Sequence, residues 1–293
     1  MSNTKGKVFV AMAIFGTTGF FLRYVHIPIA TAALICCLLG IVAVLALMKL
    51  TKRKLRWRHI KEPLPWVVLS GVAMGASWLL LFGAQKSSDS TITTVYYYLA
   101  PMALALLTPL LGEKYRKKKL WMCALALGAL VLTTGFWKKG FVWDYRFLFA
   151  LGAGVLHCVV IVLNKRLEDI SSYDKTVVQL ATVAVMLLPY CLFTGGFAIT
   201  GIRGSEFAAL AILGVVHMGI GCRMYFDGVM HLPLQSIAIY NYINPAVAIF
   251  ISAFMLNQKL NAEEVLGVVL ILGGIIISEL SKENLGRLFQ KKG

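Results

Sequence analysis

Ten apolar stretches, each about 20 residues long, follow one another along almost the whole chain and are joined by short connections. An apolar helix of about 20 residues is long enough to cross the hydrocarbon core of a lipid bilayer. The stretches cover residues 8–25, 29–48, 64–84, 92–111, 120–137, 147–163, 176–197, 207–229, 236–256 and 264–280. We therefore predict an all-α polytopic membrane protein with ten transmembrane helices.

Composition supports a membrane environment and argues against a soluble nucleic-acid-binding protein. Hydrophobic residues make up 59% of the chain and charged residues only 14%, whereas a soluble domain carries about 25% charged residues. The net charge is +16, but the Lys and Arg residues stand in short runs between the apolar stretches and not in one basic domain. We expect the lipid bilayer to surround this protein, and we expect no nucleic acid partner.

The distribution of positive charge predicts the orientation of the helices. If the N-terminus is cytoplasmic, 21 of the 29 Lys and Arg residues fall in the inner loops and termini and seven in the outer loops. Lys and Arg are retained on the cytoplasmic side of membranes. We therefore predict a multi-pass protein of the cell membrane with both termini in the cytoplasm, and we expect the first apolar stretch to remain as an uncleaved span.

Cysteine spacing and loop length exclude several kinds of site. The six cysteines lie within predicted helices and have no CxxC spacing, so the sequence indicates neither a disulfide framework nor a metal site. It contains no GxxxxGK[ST] phosphate-binding loop. We expect no cofactor, and we expect transport driven by a gradient or by exchange and not by ATP.

A polar, aromatic phrase occurs twice, as YYYLAP at residues 96–101 and as YNYINP at residues 240–245. The alignment that joins the two phrases also places Phe82 on Phe226 and Tyr98 on Tyr242. We predict two repeats of five helices, residues 1–137 and 147–293, joined by an outer linker at 138–146; the second ends in a short basic cytoplasmic tail. Because each half has an odd number of crossings, the second half enters the membrane in the opposite sense, as in many secondary transporters.

The proline at the end of each phrase predicts an opened backbone in the middle of the membrane. Pro101 and Pro245 carry no N–H, so the carbonyls of Tyr97 and Asn241 lose their helical donor. Such carbonyls must face protein, water or a ligand. We consider two interpretations: a shared central cavity with the prolines as gating elements, and simple bends that improve packing.

Neighbouring side chains extend this candidate substrate site. Asn241 and Asn244 are three residues apart and share a helical face, and Tyr240 is one turn from Asn244. Asparagine in a membrane helix also serves to bind helices together. Trp78 could supply an apolar or cation-binding wall, or it could be an ordinary packing residue.

Ionisable residues inside predicted helices are few. Arg223 and Asp227 are four apart on the eighth helix, where they could bind substrate, act in gating, or form a salt bridge at the membrane interface. His157 and His217 are candidate proton carriers or hydrogen-bonded packing residues. The hydroxyl of Thr17 could bind a ligand or bond back to its own helix.

The chain resembles the EamA branch of the drug/metabolite transporter superfamily. The resemblance rests on YYYLAPMALALLTPLLGEK in the fourth predicted helix, YNYINPAVAIFISAFMLNQK in the ninth, and the glycine-bearing fifth and tenth helices. It implies a central cavity between the halves that opens alternately to each side. The residues that match the cavity-lining helices are Thr17, Trp78, Tyr97, His157, Arg223, Asn241 and Asn244.

These observations predict a secondary transporter of a small metabolite, most simply an amino-acid-like or similar polar solute. The alternative is a carrier of organic cations, quaternary amines or drugs, with Trp78 and the tyrosines as a cation-binding wall. A membrane enzyme or scaffold is a remote alternative, and we expect no enzymatic activity. The sequence leaves both proton coupling and exchange open, and both a monomer and a homodimer.

Overall fold

The computed structural model describes residues 2–87, 90–135, 147–197, 201–255 and 259–279, and within these ranges the chain is helical and contains no β-strand. The predicted linker 138–146 and the basic tail after residue 279 lie outside the described residues. The helices are α1 (Ser2–Gly16), α2 (Thr18–Leu22), α3 (Ile29–Leu50), α4 (Trp57–Lys61), α5 (Leu64–Ser87), α6 (Ser90–Leu107), α7 (Lys117–Thr133), α8 (Phe147–Arg166), α9 (Ser172–Phe193), α10 (Gly204–Ile212), α11 (Cys222–His231), α12 (Leu234–Tyr240), α13 (Ile243–Met255) and α14 (Ala262–Glu279). A 3₁₀ turn, Thr108–Leu111, extends α6, and a π-helix, Leu213–Gly221, joins α10 to α11.

Eight segments of the described chain are long and apolar enough to cross a membrane. They coincide with the first to fourth and the sixth to ninth predicted stretches. The fifth and tenth stretches correspond to α7 and α14. The described part of α7 has 17 residues, and α14 carries Glu263 and Glu264 in its first turn and Glu279 at its end. The protein is thus a multi-pass helical membrane protein, while the count of ten crossings stays a prediction.

Helices of the two halves pack against each other in matching combinations. The first helix, α1, packs against α11 and α13, and its counterpart α8 packs against α5 and α6. In the same way, α3 contacts the π-helix, and its counterpart α9 contacts α5. The last helices of the two halves, α7 and α14, pack against each other, and α6 packs against α12. The first helix of each half therefore lies against the other half. A hydrophobic core extends across the two halves, and it contains buried residues of both, including Cys37, Leu130, Val160 and Ile239.

The two proline phrases have different backbone structures. Pro101 lies inside the continuous helix α6. Pro245 lies in the first turn of α13, and Asn241 and Tyr242 form a turn that separates α12 from α13. The first turn is where proline is tolerated, because the N–H groups there have no helical acceptor. Only the second copy therefore interrupts its helix.

Two glycines allow the backbones of opposite halves to approach closely. A Cβ atom on Gly154 of α8 would lie 2.4 Å from the carbonyl oxygen of Tyr97, and one on Gly16 of α1 would lie 2.7 Å from the carbonyl oxygen of Asn244. Both distances are shorter than any real carbon–oxygen contact of this kind. The phrase in each half is thus packed against the first helix of the other half at a glycine.

We predict that Gly154→Ala destabilises the protein, because its new methyl group would push α8 away from the backbone of α6. Gly128→Ala is the matched control, since nothing lies within 4 Å of a Cβ atom there and alanine favours the helix by about 1 kcal/mol. Thermal unfolding of the purified variants in detergent should show a lower melting temperature for Gly154→Ala only. Equal melting temperatures would show that the contact between α8 and α6 can relax without cost.

Candidate functional site

A tyrosine hydroxyl joins two helices and the turn at Asn241 near the middle of the bundle. Tyr225 of α11 is buried, and its hydroxyl lies 3.3 Å from Oδ1 of Asn241 and 3.4 Å from Nε2 of His157 on α8. Because Oδ1 can only accept, the hydroxyl donates to Asn241 and accepts from a protonated Nε2 of His157. These three residues therefore form a hydrogen-bonded chain across the second half, which we call the central chain.

Aromatic rings surround the central chain. His157 stacks on Tyr225 with ring centroids 6.0 Å apart, and its other neighbour is Tyr97 of α6, also at 6.0 Å. Phe15 of α1 meets Tyr225 edge to face at 6.1 Å. Helices of both halves thus contribute rings to one centre.

The third residue of each repeated phrase, a tyrosine, connects the two halves directly. The hydroxyl of Tyr242 donates to the carbonyl oxygen of Tyr98 at 2.8 Å, and their ring centroids are 5.6 Å apart. Both side chains are buried. The residues that the sequence alignment pairs are therefore in contact across the interface between the halves.

The carbonyls next to the prolines are covered by protein. The carbonyl of Tyr97 lies against Gly154, and the carbonyl of Asn241 accepts from the backbone N–H of Asn244 at 3.3 Å. The structure therefore favours the packing interpretation of these two carbonyls over a role as ligand groups.

Of the predicted substrate-binding residues, the structure brings together Tyr97, His157 and Asn241. Thr17 lies elsewhere, where its hydroxyl contacts Nε2 of His217 at 2.9 Å. Asn244 places its backbone against α1, as described above. Tyr240 is buried in the core on α12, and Trp78 of α5 is partly buried against the same core.

Arg223 and Asp227 lie toward the end of the bundle where α1 and α9 begin, which we call the basic end. The guanidinium of Arg223 lies over the ring of Tyr173, 4.2 Å from its centroid. Asp227 pairs with Lys7 at 2.6 Å and accepts from the hydroxyl of Ser172 at 3.3 Å. Neither residue belongs to the central chain.

Charged contacts between the halves are concentrated at the basic end. Glu279 of α14 pairs with Lys5 of α1 and, at 3.2 Å, with Lys119 of α7, which also contacts the hydroxyl of Ser236. The side chain of Lys119 is only 8% exposed. Each of these bonds joins residues of the predicted first half to residues of the second.

A second group of contacts closes the same end around Glu113. Its carboxylate accepts from the backbone N–H of Leu234 at 2.8 Å and lies 3.7 Å from Nζ of Lys165. Gln235 accepts from the backbone N–H of Arg116 at 3.0 Å. The connection that follows α6 is thereby attached to the beginning of α12.

Sequence reasoning did not select Tyr225, Lys119 or Glu279, which the structure places in the central chain and among the contacts of the basic end. Tyr225 lies two residues after Arg223 in the eighth predicted stretch, and no local pattern in the sequence marks it as the partner of His157 and Asn241. Lys119 and Glu279 stand at predicted helix ends, where charge is expected in any membrane protein, so their pairing had no local signal. Within the described ranges no group of three His, Cys, Asp or Glu residues could hold a metal ion.

A bundle of membrane-crossing helices, built from two interlocked halves around a polar and aromatic centre, is the architecture of a membrane transporter. The EamA-like transporter family model matches residues 7–135 and 145–280. The chain therefore belongs to the EamA-like transporter family, and it carries two EamA domains.

Two relatives agree with this assignment, and a solved structure shares the fold. The chain is 24% identical over 295 residues to the uncharacterized transporter YxxF of Bacillus subtilis, which covers 94% of this chain and 89% of the relative. It is 26% identical over 197 residues to an uncharacterized transporter of Archaeoglobus fulgidus, covering 67% of this chain and 69% of the relative. A protein crystal structure superposes with a TM-score of 0.83 at 18% identity, over 95% of this chain and 98% of the other, and this likeness concerns the fold.

We predict that Tyr225→Phe destabilises the protein, because it leaves Oδ1 of Asn241 buried without its donor. An orphaned buried acceptor costs about 1–3 kcal/mol. Tyr190→Phe is the control, since that side chain is 42% exposed on α9. Thermal unfolding in detergent should show a melting temperature lower by a few degrees for Tyr225→Phe alone. A shift of the same size in both variants would contradict a structural role for the central chain.

Proposed function

We propose that this protein is a secondary transporter that carries a small, polar metabolite by alternating access between its two halves. The observation that carries the proposal is the crossed packing of α1 and α8, each against the opposite half. Two halves that interlock in this way can rock about a shared centre without either half unfolding. The proposal includes ten crossings in two inverted repeats, although α7 and α14 fall short of the length or apolarity of the other eight spans.

The centre of the bundle is the proposed binding region. Tyr97 lies on α6, His157 on α8 and Asn241 in the turn after α12. Because the three come from both halves, movement of one half against the other would change their spacing. The interruption of the ninth crossing at Asn241 and Tyr242 is the proposed hinge. Because Asn241 belongs to the central chain, substrate contact there would be coupled to helix movement.

The basic end is the proposed cytoplasmic gate. Positive charge is retained in the cytoplasm, and Lys5, Lys7 and Lys119 lie at this end. Opening toward this side requires the pairs to Asp227 and Glu279 to separate. Both termini would then be cytoplasmic, in the cell membrane.

An organic-cation carrier is the second candidate, because the rings of Tyr97, Tyr225 and Phe15 meet at the centre and ring faces attract cations. Enzymatic activity and a scaffold role have no such support.

We predict saturable, gradient-driven uptake when the purified protein is reconstituted into liposomes. The measurement is counterflow of a radiolabelled panel of amino acids, quaternary amines and nucleosides, with and without a proton gradient. ATP inside or outside the vesicles should change nothing. Flux that stays linear with concentration for every solute would contradict the carrier proposal and favour a channel or scaffold.

We predict that Glu279→Gln opens the basic end, because Lys119 loses the carboxylate that compensates its largely buried charge. The reporter is Cys123 of α7, one turn from Lys119 and fully buried, in a background where the other five cysteines are alanine. A bulky maleimide should label Cys123 several times faster in Glu279→Gln than in the parent. Glu62→Gln, an exposed carboxylate beside α4, should not change the rate; equal rates in all three proteins would remove the gate assignment.

A further inference from the structure

One buried hydrogen-bond donor at the centre has no protein acceptor. Asn241 is 4% exposed, and its Oδ1 is already bonded to Tyr225. Its Nδ2 has no hydrogen-bond partner among the described residues. A buried donor without an acceptor is unfavourable, so an acceptor supplied from outside the protein would stabilise this position.

The groups beside this donor present flat ring faces. His157 and Tyr225 are nearly parallel, with an interplanar angle of 15°. Tyr97 stands at 41° to His157 on the other side, and neither Tyr97 nor His157 is fully buried. Aromatic faces favour stacked or edge-on contact with a second planar group. A planar solute at this position would therefore contact aromatic rings.

The ion pairs of the described structure do not include the residues of the central chain. Arg223 lies over Tyr173, and Asp227, Glu279 and their lysine partners are at the basic end. At the opposite end, the carboxylate of Glu206 is bonded to the backbone N–H groups of residues 26 and 27. A charged solute at the centre would lose its hydration without gaining a counter-charge.

The two carbonyls next to the prolines also do not replace a counter-charge. An ammonium group needs acceptors, but the carbonyl of Tyr97 is covered by Gly154 and that of Asn241 is bonded to Asn244. An organic cation could lie on the rings, yet it would leave Nδ2 of Asn241 without an acceptor. An amino acid would bury two charges together.

We propose that the carried solute is uncharged and planar and offers a hydrogen-bond acceptor, such as a ring carbonyl or an amide oxygen, to Nδ2 of Asn241. This inference rests on the proposed transport function and narrows its substrate class. It assigns Asn241 the role of a specificity-determining residue. Asn241 would select neutral solutes that offer an acceptor over cationic and anionic solutes.

The test uses probes that keep one ring and change only the charge. The first series is nicotinamide, nicotinate and 1-methylnicotinamide, and the second is indole-3-acetamide, indole-3-acetate and tryptamine. Affinities are measured on the full-length purified protein by ligand-induced thermal shift, and transport is measured by counterflow in liposomes. We expect the neutral amide of at least one series to bind about tenfold more tightly than its charged members.

Variants at Asn241 separate recognition from folding. Asn241→Ala should weaken binding of the neutral amide about tenfold, and the nearly isosteric Asn241→Asp should shift preference toward the cationic member of the series. Asn261→Ala, which removes an exposed cap of α14, is the control and should leave affinities unchanged. If Asn241→Ala does not fold, the shift of Asn241→Asp toward the cationic member of the series is the deciding result.

Two results would overturn the inference in distinguishable ways. Tighter binding of charged members in both series, or of amino acids, together with saturable flux, would refute the neutral substrate while the transport function stands. The absence of saturable binding and flux for every probe and every amino acid would refute the transport function itself, and the substrate class with it.

Discussion

The backbone carbonyls of the two proline phrases lie against the first helix of the opposite half, and this contact determines how the halves fit together. Within a bilayer no water is available to satisfy an exposed carbonyl, so an irregular backbone must be covered by protein. Gly154 and Gly16 provide that cover because they have no side chain. Each proline phrase therefore meets the first helix of the other half at a glycine, where the two backbones can approach closely.

This interlocking also separates the chemistry of the centre from that of the ends. Hydroxyl, amide, imidazole and aromatic groups meet at the centre, whereas ion pairs join the halves at the basic end. Buried charges are costly unless they are paired, and the pairs here lie at the end that we propose as the gate. In that proposal the centre selects the solute and the basic end controls access.

Much of the fold could be predicted because helices in membranes must satisfy their own backbone. The apolar stretches gave the helices to within a few residues, and the repeated phrase identified Tyr98 and Tyr242, which are in contact. The resemblance to the EamA family is confirmed. The candidate site was predicted less completely: Tyr97, His157 and Asn241 meet, but Arg223 stacks on Tyr173 at the basic end. A side chain at a given position along a helix can face any neighbour, and the sequence does not contain the rotation of the helix.

The sequence by itself determined the membrane class, the positions of the helices and the existence of two related halves, because hydrophobic length and charge distribution are properties of each segment alone. The tertiary structure decided that only the second proline phrase breaks its helix, that Tyr225 joins His157 to Asn241, and that Glu279 faces Lys119. These features depend on which helix faces which. That choice results from close packing at glycines and the pairing of buried polar groups, contacts between residues that lie far apart in the chain.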